Sequence, residues 1–195
     1  MKIIGLTGSL AMGKSDTLRM FSDEAVPTFD ADEVVHRLYG RGGGAVDAVG
    51  RLCPNAIVGG AVDRRRLSRA IEKNPALLFE LERAVHPLVS QELEKFLATA
   101  RANASDMVVL DIPLLFETGR EKEFDSIIVV SAPADVQKRR ALARPGMTEE
   151  KFKLILSRQT PDAEKRSRAD YVVDTGIDHE STRSQVRRIV NQLRG

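Results

Sequence analysis

GSLAMGKSD, residues 8–16, decides the reading of this chain. Gly8, four spacers, Gly13, Lys14 and Ser15 match G-x-x-x-x-G-K-[ST], a loop that wraps phosphates with backbone N–H groups. The two glycines allow the tight backbone that points those N–H groups inward. A helix starting near Lys14 adds its positive end. Lys14 is placed to reach the β- and γ-phosphates of a nucleotide, and the Ser15 hydroxyl to ligate Mg²⁺. Upstream, KIIGLT (2–7) is a short β-branched apolar run, the mark of a buried parallel strand. Leu18 and Phe21 follow the loop at helical spacing. Strand, loop and helix thus stand in the order the motif requires.

The same pattern extends along the chain. Further strands are expected at 26–32, 107–113, 126–133 and 171–176. Helices are expected at about 32–39, 75–101 with a break near Pro87, 134–143, 148–159 and 179–193. Alternating strands and helices predict an α/β fold, a mainly parallel sheet flanked by helices. Ligands bind such sheets beyond the carboxyl ends of the strands. Polar residues recur at those ends: the 8–15 loop, Asp30 and Asp32, Asp111, and Asp174. The long helical stretch at roughly 60–104 exceeds one crossover and is expected to form a small lobe over a substrate. GRGGG at 40–44 reads as a flexible loop.

Composition narrows the function. A chain of 195 residues with 42% hydrophobic side chains can bury about 70% of its unfolded surface around one core. Its 30 basic and 28 acidic residues leave a formal charge of +2, which excludes a broad basic field for nucleic acid. Cys53 is the one cysteine, so neither a disulfide framework nor a Cys/His zinc site is expected, and a cytoplasmic setting is. No run approaches the ~20 apolar residues of a membrane span.

Several residues carry candidate chemistry. Asp111 ends the MVVLD run, where P-loop proteins place the acidic residue that holds Mg²⁺, often through water; a strand-end turn is the alternative. Asp30 can cap the helix that begins near Asp32. A second carboxylate, Asp32, can take a proton from an attacking hydroxyl, which suggests transfer to an alcohol. Arg139, Arg140 and Arg144 precede a Pro-Gly break. Such a flap neutralises charge and excludes water during phosphoryl transfer, or is an ordinary solvated basic face. His86 precedes Pro87 and is either a substrate contact or a residue at a kink. A guanine-reading switch would carry Asn-Lys-x-Asp after a strand, and SIIVVSAPAD lacks it. Another small-molecule kinase, or a nucleotide-binding interaction module, stays open on these residues alone.

Taken together, the motifs resemble the dephospho-CoA kinase family nearly end to end. The resemblance rests on IGLTGSLAMGKS, DADEVVHRLY, HPLV at 86–89, DIPLLFETG at 111–119, IVVSAPADVQKRRALAR at 128–144, and SRQTPDAEKRSRADYVVDTG at 157–176. It implies a single P-loop kinase domain over 1–195, with a CoA-binding lobe at about 60–104 and a lid at about 139–160. It implies ATP as co-substrate with Mg²⁺, and dephospho-CoA as acceptor, phosphorylated on its ribose 3′-hydroxyl. Leu10, Ala11, Met12, Gly13, Lys14, Ser15 and Asp16 would hold ATP, with Ser15 and Asp111 at the metal. Asp32 would be the base, and Lys14, Arg140 and Arg144 would act on the transferring phosphate. Asp30, His86, Leu114, Leu115 and Glu117 would line the acceptor side. A cytoplasmic monomer working on small molecules is expected. Seven positions depart from the family pattern: the spacers Ser9 to Met12, Asp16, Pro145 and Thr175.

Overall fold

The computed structural model describes all residues, 1–195, as two compact units: Met1–Phe29 with Ala100–Gly195, and Asp30–Thr99. The first is built on a five-stranded sheet. Its strands are β1 (Lys2–Thr7), β2 (Thr28–Asp30), β5 (Met107–Asp111), β6 (Ser126–Ser131) and β7 (Tyr171–Asp174), in the spatial order β2-β5-β1-β6-β7. The junctions β1–β5, β1–β6 and β6–β7 are parallel. Register aligns Leu6 with Asp111, Thr7 with Val129 and Ser131 with Asp174. The segments after these strands therefore leave from one edge of the sheet.

Both faces of this sheet are covered, which is why its strands read as continuous apolar runs. On one face, Ile4, Leu6, Ile128 and Val130 share a core with Leu18 and Phe21 of α1 (Lys14–Asp23) and with Val186, Ile189 and Val190 of α9 (His179–Arg194). On the other, Ile127 and Val129 pack with Leu115 and Phe116. The remaining helices of this unit are α6 (Ala134–Leu142), α7 (Glu149–Leu156) and α8 (Asp162–Ser167).

The second unit holds α2 (Ala31–Tyr39), α3 (Val46–Leu52), the hairpin β3 (Ile57–Val58) with β4 (Ala61–Val62), α4 (Arg64–Lys73) and most of α5 (Ala76–Ala102). Val49, Cys53, Leu67, Leu81 and Val85 lie in its core. The helical lobe expected from about residue 60 thus belongs to a compact unit that begins thirty residues earlier, because α2, α3 and the hairpin bury their apolar faces with α4 and α5.

Helix α5 corrects a second expectation. It runs through Pro87 without the break anticipated there. Proline removes one N–H and leaves the Arg83 carbonyl without its helical donor. Arg83, His86 and Pro87 are all exposed, so water can serve that carbonyl while the flanking turns carry the helix.

Candidate active site

The phosphate loop is shaped by close contacts before any ligand is considered. Gly8 has no room for a side chain: a Cβ there would lie 2.6 Å from the Val130 carbonyl oxygen. Gly13 takes φ 88°, a left-handed conformation suited to glycine, and stands at the N-cap of α1 with no side-chain cap. The first N–H groups of α1 are consequently open to an anion.

The spacers split into two kinds. Ser9, Ala11 and Met12 are buried and Leu10 is half-buried. Met12 is built into the sheet edge, its Sδ accepting from the Ala132 N–H and its carbonyl from the Thr175 hydroxyl. The Leu10 N–H donates to Gln159 and the Met12 N–H to the Ser9 carbonyl. Leu10 and Met12, expected among the ATP contacts, therefore spend their donors inside the protein. The N–H groups of Ala11, Gly13, Lys14 and Ser15 make no hydrogen bond to the protein and stay free for phosphate oxygens.

Lys14 Nζ forms an ion pair and hydrogen bond with Asp111 Oδ1. Asp111 is only 4% exposed at the end of β5. Ser15 and Asp16 are exposed on the first turn of α1, and Asp16 pairs loosely with Arg19 at 3.6 Å. A serine hydroxyl and a carboxylate are hard oxygen donors, the kind Mg²⁺ takes alongside phosphate oxygens. The donor set fits that ion.

Arg140 and Arg144 both line a cavity of about 280 Å³ with Ala11, Gly13, Asp16 and Thr175. Arg140 does not stand free in solvent, as an unclosed flap would have it. Its guanidinium donates to the Thr175 hydroxyl at 3.0 Å and to the Thr175 carbonyl at 2.7 Å. Thr175, one of the positions that depart from the family pattern, lies on this cavity wall with Ile177, His179 and Thr182, three residues the sequence did not point to. The one available signal was their position after the final strand.

The residues expected on the acceptor side separate sharply. Asp30 is the N-cap of α2: its Oδ1 accepts from the Asp32 and Glu33 N–H groups at 2.9 and 3.1 Å. Asp32 is exposed on the first turn, and its carboxylate makes no hydrogen bond or ion pair. His86 lies in the second unit, on the wall of an apolar groove of about 630 Å³ shared with Tyr39, Leu67, Leu78 and Val85. Leu114 is 45% exposed, whereas Leu115 is fully buried against Ile127 and Val129. Leu115, expected on the acceptor side, is a core residue whose side chain offers no exposed surface in this structure.

Glu117 is likewise committed. Its Oε1 lies 2.9 Å from Nζ of the fully buried Lys165 and accepts from the Thr160 N–H at 2.8 Å. Burial pushes the Glu117 carboxyl up, but the bonds from Lys165 and the backbone outweigh it and hold the group below its ordinary value of 4.5. A carboxyl with a lowered folded-state pKa stabilises the fold fully above its unfolded value and loses that contribution as pH falls through the folded value. The wild-type melting temperature is therefore expected to drop as pH falls below about 4.5, the ordinary carboxyl value, in a step that Glu117→Gln lacks. Lys165→Met is expected to cost on the order of 3 kcal/mol at neutral pH, because it strands a buried carboxylate. Adding Glu117→Gln should recover most of the loss, as read by thermal or urea melts.

Comparison with known proteins agrees with this geometry. The dephospho-CoA kinase family model matches residues 2–180. A dephospho-CoA kinase of Agrobacterium fabrum is 51% identical over 193 residues, 99% of this chain and 98% of the relative. A solved structure from Thermus thermophilus is 32% identical with a TM-score of 0.79, covering 100% of this chain and 98% of the other. The dephospho-CoA kinase of Campylobacter jejuni shares the fold with a TM-score of 0.70 at 20% identity, over 98% of this chain and 96% of that one. With a family match over most of its length and a half-identical relative over nearly all of it, the chain belongs to the dephospho-CoA kinase family.

Proposed function

We infer that the chain catalyses ATP-dependent phosphorylation of the ribose 3′-hydroxyl of dephospho-CoA, giving CoA and ADP, with the 8–16 loop as the ATP phosphate site and Asp32 as the base. The observation that carries the assignment is a family match spanning the sheet together with an intact Gly13–Lys14–Ser15 at the head of α1. Asp32 accepts the 3′-hydroxyl proton as the oxygen bonds to the γ-phosphorus. The bond to the β,γ-bridging oxygen breaks, and ADP leaves with that oxygen's electron pair. Lys14, released from Asp111, neutralises charge on the phosphates, and Arg140 and Arg144 add charge from the lid at about 139–160. Mg²⁺, held by Ser15 and Asp111, would supply charge neutralisation between the phosphates. The free Ala11, Gly13, Lys14 and Ser15 N–H groups orient the triphosphate.

The helical unit supplies the acceptor side. Its apolar groove with His86 on the wall suits the long non-reacting arm of dephospho-CoA, and Leu114 offers a further exposed apolar contact. A monomer acting on small molecules in the cytoplasm is the setting we propose. The near-neutral charge supports small-molecule rather than polyanionic partners, and the single buried cysteine suits a reducing compartment. A coupled ADP-release assay tests the reading. ADP is expected with ATP plus dephospho-CoA, and not with shikimate, a simple alcohol or adenosine. Equal rates across these acceptors would refute the acceptor assignment.

A further inference from the structure

Two glutamines hold one residue of the phosphate loop from opposite sides. Gln137, 5% exposed on α6, donates through Nε2 to the Leu10 carbonyl at 2.9 Å. Gln159, in the turn after α7, accepts through Oε1 from the Leu10 N–H at 3.0 Å. The partners settle which end of each amide does what, since a backbone N–H can only donate and a carbonyl can only accept. The chain between these two glutamines contains Arg140, Arg144 and α7. The arginine-bearing segment therefore leaves from, and returns to, a single loop residue.

We propose that Gln137 and Gln159 are positioning residues for phosphoryl transfer, which orient the loop donors and anchor both ends of the lid to them. The reasoning starts from the planar trans peptide, in which C=O and N–H point in opposite directions. Holding the Leu10 carbonyl toward Gln137 turns the Ala11 N–H the other way, and that N–H is one of the donors without a partner in the protein. Gln159 takes up the Leu10 N–H, so the preceding peptide cannot rotate to present it instead. Neither glutamine needs to touch the nucleotide. Their sequence separation, 22 positions, spans the lid, so a lid displacement pulls on the loop that holds the phosphates. The proposal rests on the assignment of the 8–16 loop to ATP.

Opposite hydrogen-bonding roles make opposite predictions for the same substitution. Gln159→Glu keeps an acceptor for the Leu10 N–H, whereas Gln159→Leu does not. Gln137→Glu sets a carboxylate against the Leu10 carbonyl, whereas Gln137→Leu only removes a donor. Steady-state kinetics on the full-length enzyme, with ATP varied at saturating dephospho-CoA, should give an inverted ranking. Each Leu variant is expected to raise the ATP KM about tenfold, the usual scale for a lost buried hydrogen bond. At 159, Glu should restore most of that loss, and at 137 Glu should be worse than Leu. Melting temperatures measured alongside identify any variant that fails to fold, and if those at 137 do, the 159 pair decides. The same ranking at both positions, or an unchanged ATP KM throughout, overturns the proposal. Lys14→Ala in the same assay separates the two layers: retained turnover refutes the ATP-loop assignment itself, while its loss beside wild-type glutamine variants refutes the clamp alone.

Discussion

Lys14→Ala is expected to lower kcat by at least ~10²–10³-fold, the scale for removing one group aimed at developing charge in a closed site. The structure adds a second effect. Lys14 is the cation against Asp111, a carboxylate almost wholly out of solvent. Its removal should also lower stability, by up to about 3 kcal/mol for a pair of this burial. The two effects are separable. Adding Asp111→Asn relieves the unbalanced carboxylate, so the double variant should regain melting temperature while remaining inactive. If activity returned together with stability, Lys14 would be a structural residue and the loop would owe its phosphate chemistry to something else.

Asp32→Asn is expected to reduce kcat by ~10²–10³-fold, toward the lower end of general-base effects, because loose phosphoryl-transfer transition states ask less of a base. ATP affinity should hardly change. The carboxylate is exposed and unpaired, so Asn removes no folded-state bond. It forfeits only the favourable placement of a negative charge in a first helical turn, a few tenths of a kcal/mol. Melting temperature and the dissociation constant for ATP serve as controls. A loss confined to ATP binding, with turnover intact at saturation, would assign Asp32 to the nucleotide rather than to the hydroxyl.

How far these residues were legible depended on what the side chains do. The P-loop could be read because its chemistry is backbone chemistry, and the glycines at 8 and 13 announce it. Parallel strands were legible because burial on both faces leaves uninterrupted apolar runs such as SIIVVS. The surroundings of Leu115 and Glu117 were not legible for a related reason. Adjacent residues of DIPLLFE point in different directions, and only the fold shows that Leu114 is exposed while Leu115 is core. Glu117 is answered by Lys165, 48 positions away, a pairing that no local pattern encodes. The same is true of Thr175 and Arg140, which meet only once β6, β7 and α6 share an edge. The β3–β4 hairpin was readable in principle, since Gly59–Gly60 between two apolar pairs is a turn signal, but strands of two residues carry almost no periodicity.

One feature of the loop also bears on which sequences can replace this one. Ala11 sits at φ 61°, where a Cβ costs roughly 1 kcal/mol relative to glycine. Its methyl lies in a small apolar cluster with Ala141 and Phe152, bordered by Leu10, Met147 and Leu156. A glycine would ease the backbone but leave a void beside Phe152. A larger residue would collide with Ala141 and meet the same left-handed penalty. Positions 11, 141 and 152 are therefore not free to drift one at a time: a change in loop residue 11 is tolerated when α6 and α7 change with it. Among dephospho-CoA kinases, the side-chain volumes at these three positions should vary together, so that a phosphate loop grafted from a relative works here only if its supporting helices are grafted as well.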